Sequence, residues 1–132
     1  MKTYALDTNI ISYFLRKDKK VESHVRNVLQ SGNGELIIPP LVYYEVRRGL
    51  LLKDARGQTA AFDGFCKRIP VGKITRPMLD EAARIYANLR GKVHDMDILI
   101  AAFCIVNDYI LVTHNVKHFM DMSGLTVEDW AG

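Results

Sequence analysis

The stretch that most constrains the fold is DMDILIAAFCIVN, residues 95–107. It reads as a helix that is apolar on nearly every side, with charge only in its first turn. A helix of that kind has no solvent face, so it calls for a sheet on one side and other helices around the rest. Directly after it comes DYILVTHN, an aliphatic run of strand type. The same alternation recurs upstream. Residues 3–6 read as a strand, and NIISYFLR then places Ile10, Ile11 and Phe14 on one face of a short helix. DKKVESHVRNVLQ spaces Val21, Val25, Val28 and Leu29 for a second helix, stopped by SGNG with a glycine C-cap signal. ELIIPP is a second strand ended by Pro39 and Pro40, and a helix follows through LVYYEVRRGLLL.

Further along, DARGQ reads as a polar loop, and the next helix carries Phe62, Phe65 and Ile69. RIPV reads as a short third strand. In TRPMLDEAARIYANLRG, Thr75 is the N-cap candidate, the apolar stripe is Leu79, Ala82, Ala83 and Tyr86, and Gly91 follows the last turn. LTVEDW reads as a small final strand. Strands alternating with helices predict an α/β domain with a mainly parallel sheet flanked by helices. At 132 residues, without repeats or linkers, the expected organisation is one domain over 1–132.

Composition then narrows the classes. Apolar residues make up 48% and charged residues 25%, the profile of an ordinary globular protein. The net charge of +3 suits a polyanionic partner without requiring one. No apolar run approaches the roughly 20 residues that span a bilayer, and the N-terminus runs straight into folded pattern, so a soluble, cytoplasmic chain is expected. Cys66 and Cys104 lie in apolar-patterned segments with neither CxxC nor zinc spacing, and read as reduced, buried thiols.

The acids carry the functional signal. Asp7 follows the first strand, Glu45 lies one turn into the helix after the second, Asp97 opens the apolar helix, and Asn115 follows the strand YILVT. Ligands bind open parallel sheets beyond the carboxyl ends of the strands, the edge that all four positions should share. Each residue also has an ordinary explanation. Asp7 could cap the helix beginning near Ile10, Glu45 could pair with Arg48 three residues on, Asp97 could answer its own helix dipole, and Asn115 could be a turn residue. Asp95 already serves as a cap candidate, which leaves Asp97 redundant in that role. Carboxylates crowded into one crevice repel one another unless a cation joins them. All-oxygen donors point to Mg²⁺ or Mn²⁺, and the chemistry that fits is phosphodiester hydrolysis.

At these residues the chain resembles a PIN domain, in particular a VapC-type toxin of a bacterial toxin–antitoxin pair. ALDTNIISYFL resembles the family's opening Asp motif, IIPPLVYYEVRRGL its Glu motif, DMDILIAAFC its second Asp motif and ILVTHNVKHF its closing strand and turn. The four occur in the family's order and span essentially the whole chain. The resemblance implies a PIN-like α/β/α sandwich and a metal-dependent ribonuclease acting on structured RNA, often tRNA. It also implies a homodimer silenced by a VapB-like antitoxin, one of whose cations would neutralise the carboxylates. Carried over by position, Asp7, Glu45 and Asp97 would be catalytic and hold Mg²⁺ or Mn²⁺. Asn115 would be a weaker ligand, Thr113 a support through its hydroxyl, and Asp95 an auxiliary ligand or cap. Activated water, not a side chain, would attack phosphorus and leave 5′-phosphate and 3′-hydroxyl ends. Among the basic residues, which include Lys53 and Lys92, Arg47, Arg48 and Arg90 flank the expected site and are the candidates for binding RNA. Only Lys92, Val93 and His94 separate Gly91 from Asp95, a shorter connection than family members often have.

Two phosphotransfer classes fit less well. Haloacid-dehalogenase phosphatases need a second Asp where this chain has Asn9, and receiver domains need a central Asp where Asp7 comes too early. A PIN-like module that binds RNA or protein without catalysis is the remaining alternative.

Overall fold

A computed structural model describes residues 1–132. Four strands, β1 (Lys2–Leu6), β2 (Gly34–Ile37), β3 (Ile110–Val112) and β4 (Thr126–Glu128), form one sheet in the order β2-β1-β3-β4, every pair parallel. Six helices flank it: α1 (Thr8–Leu15), α2 (Lys19–Ser31), α3 (Pro40–Leu52), α4 (Arg56–Arg68), α5 (Arg76–Asn88) and α6 (Asp95–Asn107). A 3-10 turn at Val116–Phe119 follows β3.

β1 is central because it pairs on both sides, with Tyr4 opposite Leu36 of β2 and Ile110 of β3. A strand covered on both faces has to be apolar without alternation, and Ala5 and Leu6 are both fully buried. The apolar α6 buries Ile98, Ile100, Ala101, Ala102, Phe103 and Cys104, as its sequence requires. Helix boundaries follow their chemistry. Asp18 accepts from the Val21 N–H at 3.1 Å and Thr75 from the Met78 N–H at 3.3 Å. Gly32 ends α2 at φ +71°, where a side chain would be strained. Pro40 opens α3 where no intrahelical N–H is needed. At the C-terminus Trp130 stacks on His24 at 5.1 Å and donates to Glu128 at 3.0 Å, fastening the tail over the sheet.

The structure corrects four expectations. RIPV is not a strand; Val71 forms a single parallel bridge with Ile38. The loop after α3 ends before Arg56, so α4 begins inside DARGQ. The buried stripe of α5 is Met78, Ala82 and Ile85, one residue away from the expected Leu79 and Tyr86, which are 49% and 51% exposed. Cys66 is half-buried, not buried, although both cysteines are free and burial pushes both thiols upward.

Gly72 shows how tightly the edge bridge sits on α6. Its N–H donates to the Ile38 carbonyl at 2.8 Å, and an added Cβ would stand 2.5 Å from Cε1 of Phe103. Gly72→Ala is therefore expected to destabilise the protein by about 1–3 kcal/mol through overpacking. In urea unfolding, Phe103→Leu should recover part of that loss in a double-mutant cycle, and strict additivity would show that the two positions do not collide.

Candidate active site

β1 and β3 run in register with Leu6 opposite Val112, so Asp7 and Thr113 leave the sheet side by side. The Asp7 N–H donates to the Val112 carbonyl at 2.9 Å, continuing the ladder by one step. Thr113 Oγ1 donates to Asp7 Oδ2 at 2.7 Å, and the Thr8 N–H donates to Oδ1 at 2.8 Å. Asp7 and Thr113 are the two buried polar residues of the chain. Asp7 is also the N-cap of α1, though it accepts from the first helical N–H and not from the second or third, as caps ordinarily do. The cap and the functional candidate are the same side chain.

Glu45 arrives from the second turn of α3, which packs against α1. Thr8 Oγ1 donates to its Oε1 at 2.8 Å, and Arg48 Nη2 stands 3.8 Å from Oε2, so the i,i+3 pair exists but is loose. Asp97 lies in the first turn of α6, with His118 Nδ1 3.3 Å from its Oδ2. Both carboxylate side chains are 21% exposed, half-sheltered at the rim of buried Asp7.

The electrostatics tie the three together. Burial holds the Asp7 carboxyl above the ordinary 3.8, hydrogen bonds from Thr113 and the Thr8 N–H pull it back, and the negative charges of Glu45 and Asp97 raise it again. The acids from β1, α3 and α6 therefore share one neighbourhood. Their donor atoms are all hard oxygens, which suit Mg²⁺ or Mn²⁺ and not zinc. In this conformation no three His, Cys, Asp or Glu side chains close around a single point as metal ligands do. Glu45 is turned to Thr8 and Asp97 to His118. The donor chemistry fits a hard divalent cation, which Asp7, Glu45 and Asp97 would hold.

The other sequence candidates separate from this group. Asp95 is two residues from Asp97, about 200° around the helix, and lines a groove with Ala82, Tyr86 and Leu99. It does not cap α6 either; His94 occupies that position without a side-chain cap bond. Asn115 is exposed at the mouth, and its contribution to the network is a backbone N–H donated to Thr113 Oγ1 at 3.1 Å. Arg47 is committed elsewhere: it pairs with Asp63 at 2.8 Å, accompanies the Tyr43 hydroxyl at 3.1 Å and lies over the Tyr43 and Phe62 rings. Arg48 lies over Tyr44, and Arg90 is exposed in the α5–α6 turn at φ +54°.

Three further residues join this group. Thr8 orients Glu45. Asn9 spans the mouth, donating to Thr113 Oγ1 at 3.4 Å and accepting from the His114 N–H at 3.1 Å. His118 faces Asp97. The signal for the first two was adjacency: each residue of Asp7-Thr8-Asn9 fastens a different part of the chain.

A four-stranded parallel sheet flanked by six helices, with three carboxylates near its carboxyl edge, places the chain in the α/β class with an acidic centre. The PIN domain family profile matches residues 4–124, and the chain belongs to that family. Among proteins it is similar to are ribonuclease VapC2 of Rickettsia felis, 27% identical over 132 residues, with 96% of this chain and 97% of that protein covered. The tRNA(fMet)-specific endonuclease VapC of Shigella flexneri is 27% identical over 135 residues, covering 99% of this chain and 100% of that protein. In structure, VapBC2 from Rickettsia felis bound to a DNA fragment from their promoter superimposes with a TM-score of 0.87 at 24% identity, covering 97% of this chain and 98% of that one. The four-stranded parallel sheet with its helices is thus the VapC fold.

Because the Asp7 value is raised, the folded protein keeps a proton that the unfolded chain has released. The stability linked to that proton is present below the ordinary 3.8 and is lost as pH climbs through the folded value. Asparagine does not titrate. In chelator-containing buffer, the stability of Asp7→Asn relative to wild type should therefore rise from acid to neutral pH, read by urea unfolding at each pH. A flat or falling difference would contradict the raised value.

Proposed function

We propose that this chain is a divalent-cation-dependent endoribonuclease of VapC type, the toxin half of a type II toxin–antitoxin pair that inhibits translation and growth. The observation that supports the reading is that Glu45 and Asp97, on two different helices, lie close enough to Asp7 at the carboxyl edge of a PIN domain sheet for their charges to raise its carboxyl. These three would be catalytic and would hold Mg²⁺ or Mn²⁺, with Asn115 at the mouth as a weaker ligand. The cation, when bound, supplies a water activated for attack on phosphorus and offsets the charge that develops on the phosphate oxygens. Thr113 and the Thr8 N–H fix the Asp7 carboxylate, the Thr8 hydroxyl steers Glu45, and His118 steers Asp97. No covalent nucleophile takes part: Cys104 is fully buried and its thiol is held protonated by burial and by the charge of Asp7. The products carry 5′-phosphate and 3′-hydroxyl ends.

The names of the relatives support RNA as substrate, and one is specific for a tRNA, so structured RNA and tRNA in particular is the proposed target. The VapBC structures support a VapB-type antitoxin as partner. A Lys or Arg of that partner, placed among the acids, would relieve the same repulsion as a cation and so silence the site. The exposed Leu79 and Tyr86 of α5 suit burial against a second copy in a homodimer. No helix is long and apolar enough to cross a membrane, which accords with action in the cytoplasm. The ungathered carboxylates favour one rival, a PIN-like module that binds RNA or protein without catalysis.

Cleavage of total tRNA by antitoxin-free protein tests the reading. Discrete fragments are expected with Mg²⁺ or Mn²⁺ and none with EDTA, and Asp97→Ala should slow cleavage by about a hundredfold or more. Mn²⁺ should raise the melting temperature of the wild type and not of Asp97→Ala. Binding of tRNA without cleavage or Mn²⁺ stabilisation would establish the rival.

A further inference from the structure

Beside Glu45, between α1 and α3, lies a cavity of about 220 Å³. That is several times the roughly 30 Å³ share of a water molecule and smaller than the roughly 300–1,000 Å³ of sites for drug-sized ligands. It has room for one ring-sized group. Leu15, Val46 and Leu50 provide apolar wall, while Ser12 and Gln58 offer hydrogen-bonding groups. Arg16 and Lys53 stand at its lining, and neither takes part in any ion pair of the chain. Arg16 lies over the Tyr13 ring, its Cζ 5.1 Å from the centroid.

A second, independent observation concerns Gly49, which lines the same cavity from the middle of α3. Glycine weakens a helix interior relative to alanine. Its φ is not positive and an added Cβ would meet nothing within 4 Å, which is equally true of Gly57 and Gly64 in α4. What distinguishes Gly49 is its place in the lining of this cavity. Glu45 and Gly49 are four residues apart and share a helix face. A side chain at 49 would project into the open space next to the carboxylate.

We propose that this cavity is the specificity pocket of the ribonuclease, receiving one unpaired nucleobase beside the scissile phosphate, and that Gly49 keeps it open. The inference rests on the ribonuclease reading. Unpaired bases are what proteins read in RNA, through apolar and guanidinium faces and hydrogen bonds to base edges. Arg16 and Lys53 complement the phosphates on either side of such a base. The candidates favoured by sequence, Arg47 and Arg48, stand in ion pairs with Asp63 and Glu45 and are absent from the pocket lining.

The test is a volume series at one position, Gly49→Ala and Gly49→Leu, assayed on total tRNA with Mg²⁺ and with cut sites mapped by primer extension. Filling the pocket should raise KM by about tenfold or more for Leu, with a smaller rise for Ala, and shift the distribution of cut sites. Retained stabilisation by Mn²⁺ shows that the variant is folded with its acids intact. If Leu does not fold, Ala carries the test, since its methyl meets no atom and favours the helix. Unchanged KM and cut sites overturn the pocket while leaving the ribonuclease standing. Weakened antitoxin binding with unchanged cleavage also overturns it, assigning the cavity to a protein side chain. Absence of metal-dependent cleavage by the wild type overturns the ribonuclease reading itself, and the pocket with it.

Discussion

The burial of one carboxylate at the end of the central strand governs the rest of this structure. A charge placed there is stabilised only by donors brought to it, and Thr113 and the Thr8 N–H are those donors. Each depends on a larger arrangement. Thr113 stands beside Asp7 because β1 and β3 pair in parallel with Leu6 opposite Val112. The Thr8 N–H points at Asp7 because α1 begins immediately where β1 stops. Parallel pairing and an abrupt strand-to-helix junction are thus conditions for this acid to remain where it is.

The tripeptide Asp7-Thr8-Asn9 extends that condition outward. Asp7 fastens β3, Thr8 fastens α3 through Glu45, and Asn9 fastens the segment after β3 through Thr113 and His114. The result holds negative charges near one another against their repulsion. Each donor reduces that cost locally, yet burial and the neighbouring acids still win, since the Asp7 value remains raised. A centre left in this condition has unspent affinity for any cation that fits, whether a divalent ion or the cationic side chain of a partner. In the proposed reading, activation by the one and inhibition by the other would draw on the same electrostatic energy, and the two occupants would exclude each other.

What the sequence revealed follows from how local each signal was. The alternation of apolar runs with helical patterns, the caps at Thr75 and Gly32 and the all-apolar α6 depend on nearby residues, and all stand in the structure. The stripe of α5 slipped by one residue because Leu79 and Tyr86 are exposed yet apolar, and hydropathy cannot distinguish a face turned to the core from one left at the surface. RIPV had strand composition but meets the sheet at a single bridge beside Gly72. That Asp7, Glu45 and Asp97 lie near one edge was legible because strand ends in a parallel sheet share it, whereas the turning of Glu45 to Thr8 and of Asp97 to His118 was not. Side-chain direction was not. Asp95 and Asp97 are near neighbours in sequence and face different grooves, and Arg47, next in line after Glu45 and Val46, turns away to Asp63. Helical geometry, at 100° per residue, separates what adjacency suggests should cooperate.

The same geometry joins what adjacency would not. Glu45 and Gly49 stand one turn apart on α3, so the acid and the neighbouring cavity belong to a single helical face. The acid is constrained by the charges and hydroxyls it must meet, whereas a Cβ at position 49 would meet no atom within 4 Å. Changes at 49, or at Ser12 and Gln58 across the cavity, could therefore alter which group enters without disturbing Asp7, Thr113 or the strand register that holds them. On the proposed reading, a helix that carries an electrostatic residue at one position and a glycine a turn later would separate the chemistry of a cut from the choice of where to cut.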